Sequence, residues 1–308
     1  MGYYIFGHRG SGDHGKEDQL RGICSLLPRK PEVYSGCPEE DWRYGIGALG
    51  GVYRSIPGKG PALSREDWVL ELEPPGHGGG RRICWGAPQG PLNASQLRRL
   101  SRYEAVVVTE DRSHRRLTGL GLKNVTRAPE PSFLVERRIR PLEGAFRCET
   151  VGLCLTLPEE AGGLLYRSYQ YLIRYIIRRT SLQIALIPYC VKTGRNDLLL
   201  LSSLAAPYLD TGRIHLRKDG DSQLLRGDLS LCSCCVGGEG VVAAWGCGVP
   251  GLCLCATDRT MGLSQELLGS WQAGVCPWEC LSCEETLTRH FQSFLIHTDR
   301  YRNRLTAR

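Results

Sequence analysis

Short apolar runs of strand length alternate with polar or helix-period stretches along this chain, and that alternation restricts the fold more than any other feature. "YYIF" (3–6), "RRICWGA" (81–87), "YEAVVVTE" (103–110) and "NVTRAPEPSF" (124–133) read as strands. Between the later ones, "NASQLRRLSRY" (93–103), with Ser95 as a candidate cap, and "SHRRLTGLGL" (113–122), with Gly119 or Gly121 as its stop, read as helices. Strand, helix, strand is the signature of a parallel sheet covered by helices. The stretch "RRIRPLEGAFRCE" (137–149) breaks the pattern with charges, a proline and a glycine, which makes it the expected linker.

Beyond it the alternation restarts. "VGLCLTL" (151–157) precedes "GGLLYRSYQYLIRYIIRRT" (162–180), where Leu165, Tyr169, Leu172, Ile173, Ile176 and Ile177 fall at helical spacing. Next come a strand "LQIALIPYC" (182–190), a helix-like "NDLLLLSSLAAPYLD" (196–210), strands "RIHLR" (213–217) and "LSLCSCCVG" (229–237), a helix "EGVVAAWGCG" (239–248) and a strand "PGLCLCA" (250–256). The 308 residues suffice for two domains with separate cores. The expected division is an N-terminal α/β domain over 1–146, a C-terminal α/β domain over 147–269, and a helical tail over 270–308 packing back across both. Two such domains facing one another form a cleft, and open α/β sheets bind ligands outside the carboxyl ends of their strands.

Composition narrows the function classes. Of 39 basic residues only six are lysine, and the net charge is +7, yet the arginines lie scattered among acids. That distribution suits a small anionic substrate and lacks the aromatic-interleaved basic stripe of a nucleic-acid binder, so no nucleic acid is expected as a partner. No run of about 18 apolar residues occurs, and residues 1–20 carry charges and glycines where a signal peptide needs an apolar centre, so the expectation is a cytoplasmic protein with no integral membrane segment. The 15 cysteines sit inside apolar runs such as "LCSCCV", as small buried hydrophobes do in a reducing compartment. Cys276, Cys280 and Cys283 contain one C-x-x-C, but a structural zinc site needs four ligands and only the distant His290 is at hand, so no metal is assigned.

Three loops could carry chemistry. Glycines at 7, 10, 12 and 15 surround Asp13 after the first strand, where backbone could approach a ligand at a helix start or Asp13 could simply cap that helix. "GAPQGPL" (86–92) is a second strand-to-helix turn, with Gly86 and Gly90. "VGGEG" (236–240) is a third, with Gly237 and Gly238 before Glu239, which a helix dipole would also favour as a first-turn acid. None fits G-x-G-x-x-G or G-x-x-x-x-G-K-[ST], so no nucleotide cofactor is assigned.

Taken in order, these segments resemble the polysaccharide pyruvyl transferase family over nearly the whole chain. "GSGD" (10–13) is similar to its N-x-G-D loop, with Gly10 in place of asparagine, and "GAPQGPL" to its G-q-G-i-G-P-l loop. Residues 106–133 follow v-x-R-D-x-x-S, L-x-x-l-G and a-D-P-a-f; "LIPY" (186–189) and Asp197 echo l-i-P-h and its following acid. "GGEGVVAAWGCGVP" (237–250) aligns without gaps on R-l-H-a-a-i-a-A-l-a-x-G-v-P, and "DRTMGLSQELLG" (258–269) resembles d-p-K-x-x-g-l-x-x-e-l-G with Arg259 near the lysine. The resemblance implies two facing Rossmann-like domains, glycosyltransferase-B-like, with an interdomain cleft. It also implies pyruvyl transfer from phosphoenolpyruvate to a glycan or lipid-linked sugar acceptor of a cell-surface polysaccharide. The binding positions it marks are Gly12, Asp13, Gly86, Gly90, Gly237, Gly238 and Arg259.

The chain departs from the family at its charged positions. Gly237 and Glu239 replace the Arg and His of R-l-H, and Thr109 and Glu110 replace the Arg and Asp of v-x-R-D. An ionised glutamate repels an anionic donor, whereas a buried Glu239 with a raised pKa would serve as the catalytic proton donor. Two other readings stay open: a nucleotide-sugar glycosyltransferase, whose two usual glutamates would fall on Cys235 and Ala243, and a non-catalytic scaffold. The oligomeric state, monomer or homo-oligomer, also stays open.

Overall fold

The computed structural model describes residues 4–6, 14–28, 32–34, 45–48, 83–85, 92–136, 149–155, 162–192, 195–217, 222–254, 258–269 and 274–307. Contacts divide the chain into two units, Met1–Ser11 with Lys16–Leu134, and Gly12–Gly15 with Val135–Arg308. The expected linker falls almost wholly outside the described residues, and residues 270–308 belong to the second unit.

The first unit is a six-stranded parallel sheet. Its elements are β1 (Tyr4–Phe6), α1 (His14–Leu26), β2 (Glu32–Tyr34), β3 (Gly45–Ala48), β4 (Ile83–Trp85), α2 (Ala94–Leu100), β5 (Ala105–Val108), α3 (Asp111–Gly119) and β6 (Val125–Arg127), with strand order β2-β1-β3-β4-β5-β6. Sequence reading misses β2 and β3, because "EVY" and "GIGA" are short and lack the continuous apolar run that marks β1, β4 and β5. The core joins Cys84, Val106 and Val108 of the sheet to Leu100 of α2 and to Leu117 and Leu122 at the end of α3. The cap of α2 is Asn93, not Ser95: Asn93 Oδ1 accepts from Gln96 N at 2.9 Å while Gln96 Oε1 accepts from Asn93 N at 2.7 Å, a reciprocal capping box.

The second unit repeats the layered plan with a different strand order. It comprises β7 (Thr150–Cys154), α4 (Gly162–Arg179), β8 (Gln183–Leu186), a hairpin of β9 (Val191–Lys192) and β10 (Arg195–Asn196), α5 (Asp197–Ala205), β11 (Ile214–Leu216), α6 (Ser222–Ser230), β12 (Cys234–Gly237), α7 (Gly240–Gly246), β13 (Gly251–Leu254), α8 (Asp258–Leu268), β14 (Val275–Cys276), α9 (Glu284–Ile296) and α10 (Thr298–Thr306). The parallel order β11-β8-β7-β12-β13-β14 is the doubly wound 3-2-1-4-5-6 arrangement. Right-handed crossovers put α4 and α5 on one face and α6, α7 and α8 on the other. Helix α6 corrects the sequence reading, which runs strand to strand from 217 to 229; consecutive parallel strands need a crossover, and "SQLLRGDLS" supplies it.

Thin side chains set the spacing on the α6–α7 face. Cys154, Ala185, Cys232 and Cys235 meet Ala243 and Ala244 of α7 in one cluster, and a Cβ on Gly251 would overlap Val241. Burial raises the Cys235 and Cys234 thiols well above their usual range and Cys84 to about 12, so these sulfurs act as small apolar groups. The two helices α3 and α7 end alike. Gly121 and Gly248 have positive φ, and the next residue's N–H returns to the carbonyl five residues back, Leu122 to Leu117 and Val249 to Ala244. This Schellman closure lets a helix turn directly toward the next strand.

Arg213 ties the end of α4 to β11. Its guanidinium donates to the carbonyls of Ile177 (2.7 Å), Thr180 (2.8 Å) and Leu182 (2.5 Å), satisfying acceptors that a helix C-terminus leaves open. Helix α9 lies on α4, with Phe291 fully buried and edge-on to Tyr175 at 6.2 Å, and Arg174 paired with Glu284. Phe291→Ala is expected to cost about 3–5 kcal/mol, while Ile296→Ala, at a position 78% exposed, should stay within about 0.5 kcal/mol; urea unfolding midpoints measure both.

Candidate functional site

The site follows from topology. Chain connections leave β7 and β12 in opposite directions, so the crevice beyond their carboxyl ends is the second unit's topological switch point. Cys154 and Gly237 are partners there in the strand register, and Gly238 N–H donates to the Cys154 carbonyl at 3.3 Å. A Cβ at 237 would overlap that carbonyl, and one at 240 would come within 2.7 Å of Cys154 Cβ and 3.1 Å of Tyr189 Cγ. The bare backbone at Gly237 is therefore a condition of the crossing.

Glu239 begins the turn into α7 without capping it. Its Oε2 instead accepts from Arg259 Nη1 at 2.6 Å, with the Glu239 side chain 46% exposed and that of Arg259 19% exposed. Arg259 stands in the first turn of α8, where the helix dipole disfavours a cation, and the carboxylate offsets that cost. The proton-donor role assigned to Glu239 depends on burial. The structure leaves this side chain half exposed and engages it as an acceptor.

Asp197 acts on the neighbouring loop. Its buried Oδ2 accepts from the backbone N–H groups of Cys190 (2.7 Å) and Tyr189 (3.2 Å), which fixes residues 187–190 at the carboxyl end of β8 and sets the Tyr189 ring against Gly240. Tyr189 is a site residue that sequence reasoning passed over; "LIPY" marked its segment without marking the ring. Arg217, following β11, pairs with the buried Asp228 at 3.6 Å. The other marked positions, Gly12, Asp13, Gly86 and Gly90, lie outside the described residues. In the first unit Glu110 is buried as the cap of α3, its Oε2 accepting from Ser113 N at 2.6 Å, with Thr109 buried beside it.

Among the described residues no group of three or more His, Cys, Asp and Glu could hold a metal ion. His290 Nε2 lies 3.1 Å from the Val275 carbonyl, and the 12 described cysteines are free thiols. Among the described residues, too, no helix is long and apolar enough to cross a membrane.

No protein-family model and no curated protein matches the sequence. Solved structures do share the fold. The UDP complex of S. aureus MnaA is 12% identical, with a TM-score of 0.59 covering 98% of this chain and 90% of that one. A Listeria monocytogenes structure assigned as a UDP-N-acetylglucosamine 2-epimerase is 11% identical, with a TM-score of 0.59 over 98% and 89%. The UDP-GlcNAc 2-epimerase of Neisseria meningitidis, bound to UDP-GlcNAc, is 9% identical, with a TM-score of 0.56 over 98% and 93%. The chain has an α/β fold of the glycosyltransferase-B type, with parallel sheets.

Gly237→Ala is expected to destabilise the protein by about 1–3 kcal/mol, whereas Gly119→Ala, with open space around its Cβ, should stabilise it by up to about 1 kcal/mol; chemical denaturation reads the opposite signs. A second expectation concerns pH. Burial lowers the pKa of His215, with Arg217 adding to it, and burial likewise lowers that of His290, from 6.5. The fold thus favours the neutral rings, a contribution complete above pH 6.5 and lost as pH falls through the folded-state values. Unfolding midpoints should drop between pH 7 and pH 5, and His290→Gln should make that drop shallower than in the parent protein.

Proposed function

We propose that the protein is a sugar-modifying enzyme whose donor is a nucleoside diphosphate sugar, held by the second unit beyond the carboxyl ends of β7, β12 and β13. One observation carries the reading: the 3-2-1-4-5-6 switch point coincides with the turn after β12 that brings the Glu239 carboxylate onto the guanidinium of Arg259. A guanidinium at that crevice offers a planar pair of donors to the oxygens of a diphosphate. The fold likeness to proteins solved with UDP and UDP-GlcNAc supports this class of donor. A glycan or lipid-linked sugar is the acceptor in this reading.

Pyruvyl transfer from phosphoenolpyruvate is the second reading. Six motifs in family order favour it, together with Arg259 near the family's lysine. The departures at Thr109, Gly237 and Glu239 weigh against it, because three positions that would meet the donor's phosphate and carboxylate or protonate its methylene carbon hold no cation and no histidine. Calorimetry with UDP, UDP-GlcNAc and phosphoenolpyruvate separates the readings. UDP and UDP-GlcNAc are expected to bind, and Arg259→Ala to weaken both by about tenfold or more. Binding of phosphoenolpyruvate alone would assign pyruvyl transfer, and binding of none of the three would assign a non-catalytic scaffold.

A further inference from the structure

From the Glu239–Arg259 pair we infer that Glu239 is a built-in competitor of the donor's phosphates for Arg259, so that its carboxylate sets the threshold an anionic ligand must exceed. The inference rests on the donor site proposed above. An acid that opens a helix ordinarily turns its carboxylate back onto the first N–H groups. Glu239 makes no such bond and reaches across to α8, where its Oε2 lies 2.6 Å from Arg259 Nη1. Of the two side chains that of Glu239 is the more exposed, 46% against 19%.

The charge arithmetic gives the pair its selectivity. A half-exposed ion pair is weak, and a ligand phosphate that forms two parallel bonds to the guanidinium replaces it with a stronger contact. A diphosphate brings enough charge to displace the carboxylate. A small monoanion forms at best an equivalent bond while facing the repulsion of Glu239, and is turned away. The carboxylate thereby keeps Arg259 neutralised and positioned until a phosphate-rich ligand arrives.

Titration of UDP and of inorganic pyrophosphate into the parent protein, Glu239→Gln, Arg259→Gln and the double variant tests this. Glu239→Gln should bind both probes about fivefold more tightly or better, and the gain should vanish in the Arg259→Gln background. Its thermal midpoint should stay close to the parent's, which separates competition from a structural role. Unchanged or weaker pyrophosphate binding by Glu239→Gln overturns the inference. Tighter pyrophosphate binding by that variant, with UDP bound by neither protein, keeps the inference and removes the nucleotide-sugar reading. Absence of binding of both probes to every variant overturns both.

Discussion

Everything at the second unit's site depends on the contact between the Cys154 carbonyl and the backbone of Gly237. It holds β7 and β12 together at the point where the chain reverses its winding, and it leaves no room for a Cβ. Because the strand there must end in glycine, the turn that follows carries its chemistry one or two residues later. Among the described residues Glu239 and, paired with it, Arg259 bring charge to the mouth of the crevice.

The small residues of the α6–α7 face serve the same crossing. Cys154, Cys235 and Cys232 are apolar and slight, and they let α7 lie close enough to the sheet for Gly240 to pass beneath Tyr189. Bulkier side chains would lift the helix and with it the Gly237–Glu239 turn. Asp197 works on the other side of the crevice, where two backbone N–H groups converge on one buried carboxylate oxygen to set Tyr189. Packing and polar anchoring thus position the loops that follow β8 and β12, the two strands flanking β7.

Much of the layer plan was legible in the sequence, for reasons that particular residues make plain. Helix α4 shows its buried stripe from Leu165 to Ile176, and the G-x-P turn at Gly248 marks both a helix end and a strand start. What escaped was short or non-local. Strands β2 and β3 are short and lack a continuous apolar run, and the mixed polarity of "SQLLRGDLS" hides α6 between two strands. Glu239 was legible as an acid opening a helix, but its partner stands 20 positions later and meets it only because β13 returns the chain to the same edge. Gly237 likewise reads as one glycine of a turn and becomes a steric requirement once Cys154 is beside it.

Hydrogen–deuterium exchange of the intact protein with and without UDP tests the central claim most directly. Peptides covering 234–242 and 255–262 should gain protection together when UDP is present, since one ligand would cover the β12–α7 turn and the start of α8. Protection confined to other peptides, with these two unchanged, would contradict the account.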